Sequence, residues 1–149
     1  MSSELRPRIL DDLGLLPALV WQAKRISEQT PVQIDFKYFN LAQRFPPEIA
    51  TAAYRITQEA LTNAVRHAKV NRVDLRAWAD HGELTLLIED HGVGFNPMDL
   101  PTGFSCGLSG IEERASLLGG EMILETSPGG GTRISITLPL NQQYTKVEM

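Results

Sequence analysis

The sequence predicts an α/β protein: a two-layer α/β sandwich in which helices cover one face of a mixed, mostly antiparallel sheet of about five strands. Three observations lead there. Apolar residues recur at helical spacing in well-separated stretches, short stretches between them alternate apolar with polar, and these two patterns are interspersed along the chain. At 149 residues the chain fits one domain with an ordinary core.

Residues 4 to 28 carry Leu13, Leu16, Leu19, Val20 and Ala23 at helical spacing. Leu10-Asp11-Asp12-Leu13-Gly14-Leu15 interrupts the pattern, which predicts a helical end, a bend and then a helix. Val32, Ile34, Phe36 and Tyr38 alternate with polar residues, the period of a strand with one buried face. Pro46-Pro47 suits a helix start, and from Glu48 to Ala68 the residues Ile49, Ala53, Ile56, Ala60, Leu61, Ala64 and Val65 follow the helical period. Val73, Leu75 and Ala77, the turn Asp80-His81-Gly82, and Leu84 to Ile88 read as a hairpin. Asp90 to Gly110 is glycine-rich with weak periodicity and reads as a long loop, a length that is usually functional or disordered. Helix returns at about Leu108 and ends at Gly119-Gly120, a pair suited to a left-handed cap. Glu121 to Thr126 and Thr132 to Leu138 are the last two strands, joined by Ser127-Pro128-Gly129-Gly130-Gly131. The tail from Asn141 is polar and expected to fray.

Composition narrows the function classes. Hydrophobic residues at 42% and charged residues at 21% match soluble globular averages. A net charge of -4 argues against a nucleic-acid-binding domain, which gathers a basic excess on one face. The single Cys106 excludes an internal disulfide or a multi-cysteine metal site, and with no signal peptide evident the expected setting is cytoplasmic. No apolar run reaches the length that spans a bilayer, although the chain is equally compatible with a parent anchored in a membrane.

Polar clusters interrupt this apolar framework at element ends. On the long helix Glu59 and Asn63 are four residues apart and share a face, with Arg66 and His67 a further turn on. Such groups rarely share a core-facing stripe unless paired or bound to a ligand. Asp90-His91-Gly92-Val93-Gly94-Phe95 leaves a buried strand, placing a carboxylate beside two glycines that allow close approach. Gly107-Leu108-Ser109-Gly110 opens a helix in this reading, where free N–H groups and the positive dipole end suit a phosphate. Gly129-Gly130-Gly131-Thr132 leads into the last strand. Each cluster alone has an ordinary use as a turn, a hairpin or a solvated helix end; order and spacing together point to a ligand.

In that order the clusters resemble the N, G1, G2 and G3 boxes of the ATPase superfamily shared by gyrase, a heat-shock chaperone, histidine kinases and mismatch-repair ATPases. The resemblance covers roughly residues 30 to 140 and implies the Bergerat-type ATP-binding fold. Gln58-Glu59-Ala60-Leu61-Thr62-Asn63-Ala64-Val65-Arg66-His67-Ala68 and Gly107-Leu108-Ser109-Gly110-Ile111-Glu112-Glu113-Arg114 are similar to the histidine kinases of the nitrate-sensor and thermosensor type. Leu5-Arg6-Pro7 and Leu10 to Leu15 resemble the end of the dimerisation hairpin of that subfamily and its junction with the catalytic domain. The resemblance therefore divides the chain into 1–28, the hairpin end and linker helix; 29–140, the catalytic domain; and 141–149, a flexible tail.

The implied activity is transfer of the γ-phosphate of Mg-ATP to a histidine on a dimerisation domain outside this chain, for relay to a response regulator with a helix-turn-helix output. Neither His67, His81 nor His91 is followed by an acidic residue, so the histidine-aspartate acceptor motif is missing. The resemblance implies that Asp90 accepts the adenine amine, that Gly92 and Gly94 give the base room, and that Thr132 bonds near the adenine. It implies Asn63 as an Mg2+ ligand, Arg66 and His67 on phosphate oxygens, and Gly107, Leu108 and Gly110 along the phosphates. Glu59 stands where hydrolysing members keep a water-activating base; here it either orients Mg2+-bound water or helps deprotonate the incoming histidine. Arg114 has two readings, a carboxylate pair or a solvated face. Asn96 to Cys106 would form a short lid, with Phe104 as its anchor or simply a loop aromatic, and His91 replaces a frequent asparagine. The alternatives are a protein-serine kinase of the anti-sigma type and a non-catalytic nucleotide-sensing module. The fragment is expected to be monomeric and its parent a homodimer.

Overall fold

A computed structural model describes residues 7–67, 69–96, 98 and 104–140, with backbone alone for 104–107. Among the described residues four helices and five strands follow one another as α1 (Arg8–Leu13), α2 (Leu15–Gln29), β1 (Gln33–Phe39), α3 (Pro47–His67), β2 (Arg72–Asp80), β3 (Glu83–Asp90), α4 (Phe104–Leu117), β4 (Glu121–Thr126) and β5 (Thr132–Pro139). The strands form one sheet in the order β1-β2-β3-β5-β4. β1 runs parallel to β2, and every other neighbouring pair is antiparallel. This is the mixed five-stranded α/β sandwich that the sequence predicts.

Strand alternation explains why the helices collect on one side. Val73, Leu75, Ala77 and Ala79 on β2, Leu84, Leu86 and Ile88 on β3, and Ile134, Ile136 and Leu138 on β5 are all buried, every second residue of each strand. They meet the apolar stripe of α3, where Ile49, Ala53, Ile56, Ala60 and Leu61 are buried, and Leu108, Ile111 and Ala115 of α4. The opposite sheet face is half-exposed and charged. There the aligned acids Asp35, Asp74 and Glu89 are neutralised by Arg72, Arg76 and Arg133, with Arg72 at 2.9 Å from Asp35 and 3.0 Å from Asp74.

Two expected caps and one turn appear as the sequence predicts. His81 and Gly82 close the β2–β3 hairpin with φ of 51° and 76°, the left-handed pair of a tight hairpin turn. Gly119 and Gly120 end α4 in a Schellman arrangement: Gly120 N–H reaches Ala115 O at 2.8 Å and Gly119 N–H reaches Ser116 O at 3.0 Å. Pro47 is the first residue of α3.

Three expectations need correction. Gly14, with φ 95° and ψ −177°, breaks the first helical stretch and resets its phase, so α2 buries Leu15, Ala18, Leu19, Gln22 and Ala23. Leu13 and Val20, expected on the apolar stripe, are 64% and 42% exposed. β1 is an edge strand whose buried face fades along its length: Val32 and Ile34 are buried, while Tyr38 is 53% exposed. Finally, α4 begins at Phe104, four residues before the expected start, because its glycines are accommodated inside a packed helix. Among the described residues no helix is long and apolar enough to cross a membrane. Leu5, Arg6, Ala68 and the tail from Asn141 lie outside the described residues.

Candidate nucleotide-binding site

The C-terminal half of α3 carries the first group. Asn63 is buried at 2% exposure, Glu59 one turn before it is half-buried, Arg66 is exposed and His67 is half-buried in the last turn. Among the described residues the Asn63 side-chain Nδ2 has no hydrogen-bond partner. A buried amide with an orphaned end is costly, by about 1–3 kcal/mol, unless a ligand completes it. A half-turn of the amide exchanges nitrogen and oxygen, so that position suits a phosphate oxygen in one orientation and a hard cation in the other. The residues present therefore fit Mg-nucleotide.

At the end of β3 the Asp90 carboxylate is 6% exposed. Its Oδ1 accepts the Gly92 N–H at 2.9 Å, a turn that folds the chain back over the strand end. Burial pushes the Asp90 pKa upward, and the backbone N–H groups of Gly92 and Thr132 partly oppose the shift. Thr132 stands directly opposite Asp90 on β5 and is also buried. An acceptor-rich buried rung results, at the edge of the apolar sheet face.

The two glycine-rich loops are locked together. Gly94 has φ 59°, and a Cβ there would run into the carbonyl oxygens of Ser127 and Gly131. Gly131, at φ 76°, leaves no room for a Cβ against the Asp90 carbonyl. Gly129 N–H reaches back to Val93 O at 2.6 Å. At Gly94, then, the room expected for a base is occupied by backbone of the β4–β5 loop, and the constraint on this glycine is loop-on-loop packing. Gly92 contributes its N–H to Asp90.

The early start of α4 also changes the reading of its glycines. The free N–H groups of a helix belong to its cap and first three residues. With Phe104 as the first residue, Gly107, Leu108, Ser109 and Gly110 lie within the helix rather than at its opening. Leu108 is buried in the core, and among the described residues a Cβ on Gly110 would meet nothing within 4 Å. Arg114 is exposed. Most of the proposed lid, residues 97 and 99–103, and the side chains of Phe104 and Cys106 lie outside the described residues. Sequence reasoning missed Thr126, whose hydroxyl joins both loops, touching Phe95, Gly131 and Thr132. On the opposite face Asp74, Glu89 and His91 bring ligand atoms within 4.8 Å of one another, but both carboxylates are already ion-paired to arginines.

A buried acid, a buried amide and interlocked glycine loops at one end of a one-sided α/β sandwich define a nucleotide-binding domain. The chain belongs to the family of histidine kinase-, DNA gyrase B- and HSP90-like ATPases, which matches residues 48–142, and within it to the ATP-binding catalytic domains of sensor histidine kinases. It is 37% identical over 140 residues to the signal transduction histidine-protein kinase/phosphatase DegS of Brevibacillus brevis, covering 94% of this chain and 36% of that one. It is 36% identical over 140 residues to the oxygen sensor histidine kinase NreB of Staphylococcus carnosus (strain TM300), covering 94% and 40%. The chain thus spans little more than a third of these relatives. Among solved structures it resembles the histidine kinase domain of the Erythrobacter litoralis EL346 blue-light activated histidine kinase, with a TM-score of 0.69 and 25% identity over 88% of this chain and 64% of that one. A longer structure of the same kinase gives a TM-score of 0.72 and 27% identity, covering 88% and 43%.

Proposed function

We propose that this domain holds Mg-ATP and presents its γ-phosphate to a histidine on a dimerisation domain of a longer, homodimeric parent, from which a helix-turn-helix response regulator receives it. Residues 1–28 continue from that dimerisation hairpin, 29–140 are the catalytic domain, and 141–149 are a tail; the domain works on the cytoplasmic side. The observation that carries this reading is Asn63, an amide 2% exposed with an orphaned end, near the C-terminus of α3, which leads into the start of β2 beside the end of β3 at Asp90.

In this reading Asp90 accepts the exocyclic amine of adenine and Thr132 lies beside it. Arg66 and His67 contact phosphate oxygens, and Gly107 and Gly110 flank the phosphates from α4, while Leu108 anchors that helix in the core. Asn63 holds Mg2+ through its side-chain oxygen; the ion, when bound, neutralises charge on the phosphate oxygens. A nitrogen of the acceptor imidazole attacks the γ-phosphorus, and the bond from that phosphorus to the β–γ bridging oxygen breaks. ADP departs with the electron pair, and Glu59, one turn before Asn63, takes the imidazole proton. Catalysis is by positioning and charge neutralisation.

The test is labelling with γ-labelled ATP. The purified chain should bind Mg-ATP yet form no acid-labile phosphohistidine, because His81 sits in an exposed turn 3.0 Å from Asp80 and His67 is assigned to phosphate contact. Adding the dimerisation domain in cis or in trans should restore labelling by supplying the acceptor at high effective concentration. Phosphohistidine mapped to His67, His81 or His91 would overturn an external acceptor, and acid-stable phosphoserine on a partner would favour a serine kinase.

A further inference from the structure

A threonine hydroxyl has one proton and two usable lone pairs, and that of Thr126 is fully committed. The Phe95 N–H donates to Thr126 Oγ1 at 3.1 Å. Two carbonyl oxygens, Gly131 O at 2.9 Å and Phe95 O at 3.4 Å, can only accept, so the Thr126 proton goes to one of them. The remaining neighbour is Thr132 Oγ1 at 3.1 Å. With the Thr126 proton already given to a carbonyl, the bond between the two hydroxyls runs from Thr132 to Thr126. Thr132 therefore commits its own proton inside the protein, and its oxygen meets any further partner as an acceptor.

Register puts this acceptor beside a second one. Thr126 is opposite Thr132 in the β4–β5 pair, and Thr132 is opposite Asp90 in the β3–β5 pair. Cross-strand neighbours on one face lie within side-chain reach of each other, so Asp90, Thr132 and Thr126 form one rung on the helix-covered face.

We propose that Thr126 is a specificity-determining positioning residue: by taking the Thr132 proton it leaves Thr132 and Asp90 as neighbouring acceptors, matched to a 6-amino purine and opposed to a 6-oxo purine. The inference rests on the nucleotide reading above and deepens it, because it gives a residue outside the glycine loops control over which base is accepted. A lone acid can be satisfied by a shifted oxo base through its ring N–H; two fixed acceptors leave the oxo group no donor.

The test compares ATP with inosine triphosphate, which carries an oxo group in place of the amine, by calorimetry on the 149-residue chain. The wild type should favour ATP. Thr126→Val keeps the side-chain shape and frees the Thr132 proton for an oxo group, so the ATP:ITP affinity ratio should fall about tenfold, the effect of one hydrogen bond gained or lost. Thr126→Ser, which retains the hydroxyl, should restore the ratio, a rescue that a purely structural role for the methyl would not give. Circular dichroism and thermal melts establish that each variant is folded. Thr132→Val leaves the Phe95 bond untouched and decides the matter if Thr126→Val does not fold. It should weaken ATP and leave ITP unchanged. A larger loss for ITP than for ATP in Thr132→Val, or an unaltered ratio in folded Thr126→Val, would overturn the inference while leaving ATP binding intact. A wild type that binds neither nucleotide would instead defeat the nucleotide reading itself.

Discussion

Asp90 on β3 and Thr132 on β5 face each other across the sheet at 6% and 8% exposure, so the carboxylate sits where water does not neutralise it. An ionised carboxylate accepts only, whereas an amide in its place presents donors toward the adenine amine. Asp90→Asn should therefore weaken binding of a non-hydrolysable ATP analogue by about 10- to 100-fold, the usual range for a lost hydrogen bond to a charged group. Its far-ultraviolet circular dichroism should remain that of the wild type. Calorimetry reads the affinity, and an unchanged value would remove Asp90 from the site.

The same carboxylate gives two opposite pH dependences. Burial raises the folded-state pKa of Asp90 above its unfolded value. The group's contribution to folding stability is thus fully present below the unfolded pKa and is lost as pH rises through the folded pKa. With Asp90 as the proposed acceptor of the adenine amine, nucleotide binding needs its ionised form, so affinity should be highest above the raised pKa and fall as pH drops through it. Melting temperatures of the nucleotide-free chain and ADP affinities, both followed across the acid range, should show these two trends. Both contributions should disappear in Asp90→Asn; an ADP affinity that is flat in the wild type through the acid range contradicts an ionised Asp90 at the base.

Asn63→Ala separates stability from function. The side chain is 2% exposed and its Nδ2 has no partner among the described residues, so truncating it relieves an unsatisfied polar group even as it opens a small void. These effects oppose each other, and the net change in unfolding free energy should stay within about 1 kcal/mol. Titrations with and without Mg2+ should differ for the wild type and coincide for the variant. A wild type indifferent to Mg2+ would end the metal role of Asn63.

What was legible in the sequence is what local pattern controls. The long helix shows in its period, the β2–β3 turn in His81-Gly82, and the acid at a strand end in Asp90 followed by glycines. The features that were not legible depend on partners distant in the chain. Thr126 is an ordinary β-branched strand residue until Phe95 arrives from 31 positions away and β5 sets Thr132 beside it. The start of α4 was hidden because Gly107 and Gly110 depress helix propensity, while burial of Leu108 and Ile111 against the core overrides it. Leu13 and Val20 belong to an apolar pattern that Gly14 cuts, and a backbone angle of 95° has no signature beyond the glycine itself.

Two glycines in the candidate site should respond to alanine in opposite ways. At Gly94 the backbone has φ 59°, and the new Cβ would collide with the carbonyl oxygens of Ser127 and Gly131. Both obstacles are backbone and cannot swing aside as a side chain would. Left-handed strain alone costs about 1–2 kcal/mol, and displacing the β4–β5 loop would also disturb the Thr126 bonds to Phe95 and Gly131. Gly94→Ala should therefore lower unfolding free energy by more than about 2 kcal/mol, read from the urea midpoint. Gly110 lies inside α4, where a Cβ would meet nothing within 4 Å among the described residues. Alanine there favours the helix by about 0.5–1 kcal/mol, so nucleotide-free Gly110→Ala should melt at or above the wild-type temperature. If the open space beside Gly110 is where phosphates lie, the same methyl group should reduce ATP affinity. A stabilised variant with weakened ATP binding would tie Gly110 to the ligand. Wild-type affinity in Gly110→Ala would remove it from the phosphate path, and a wild-type urea midpoint in Gly94→Ala would show that the two glycine loops are not locked together.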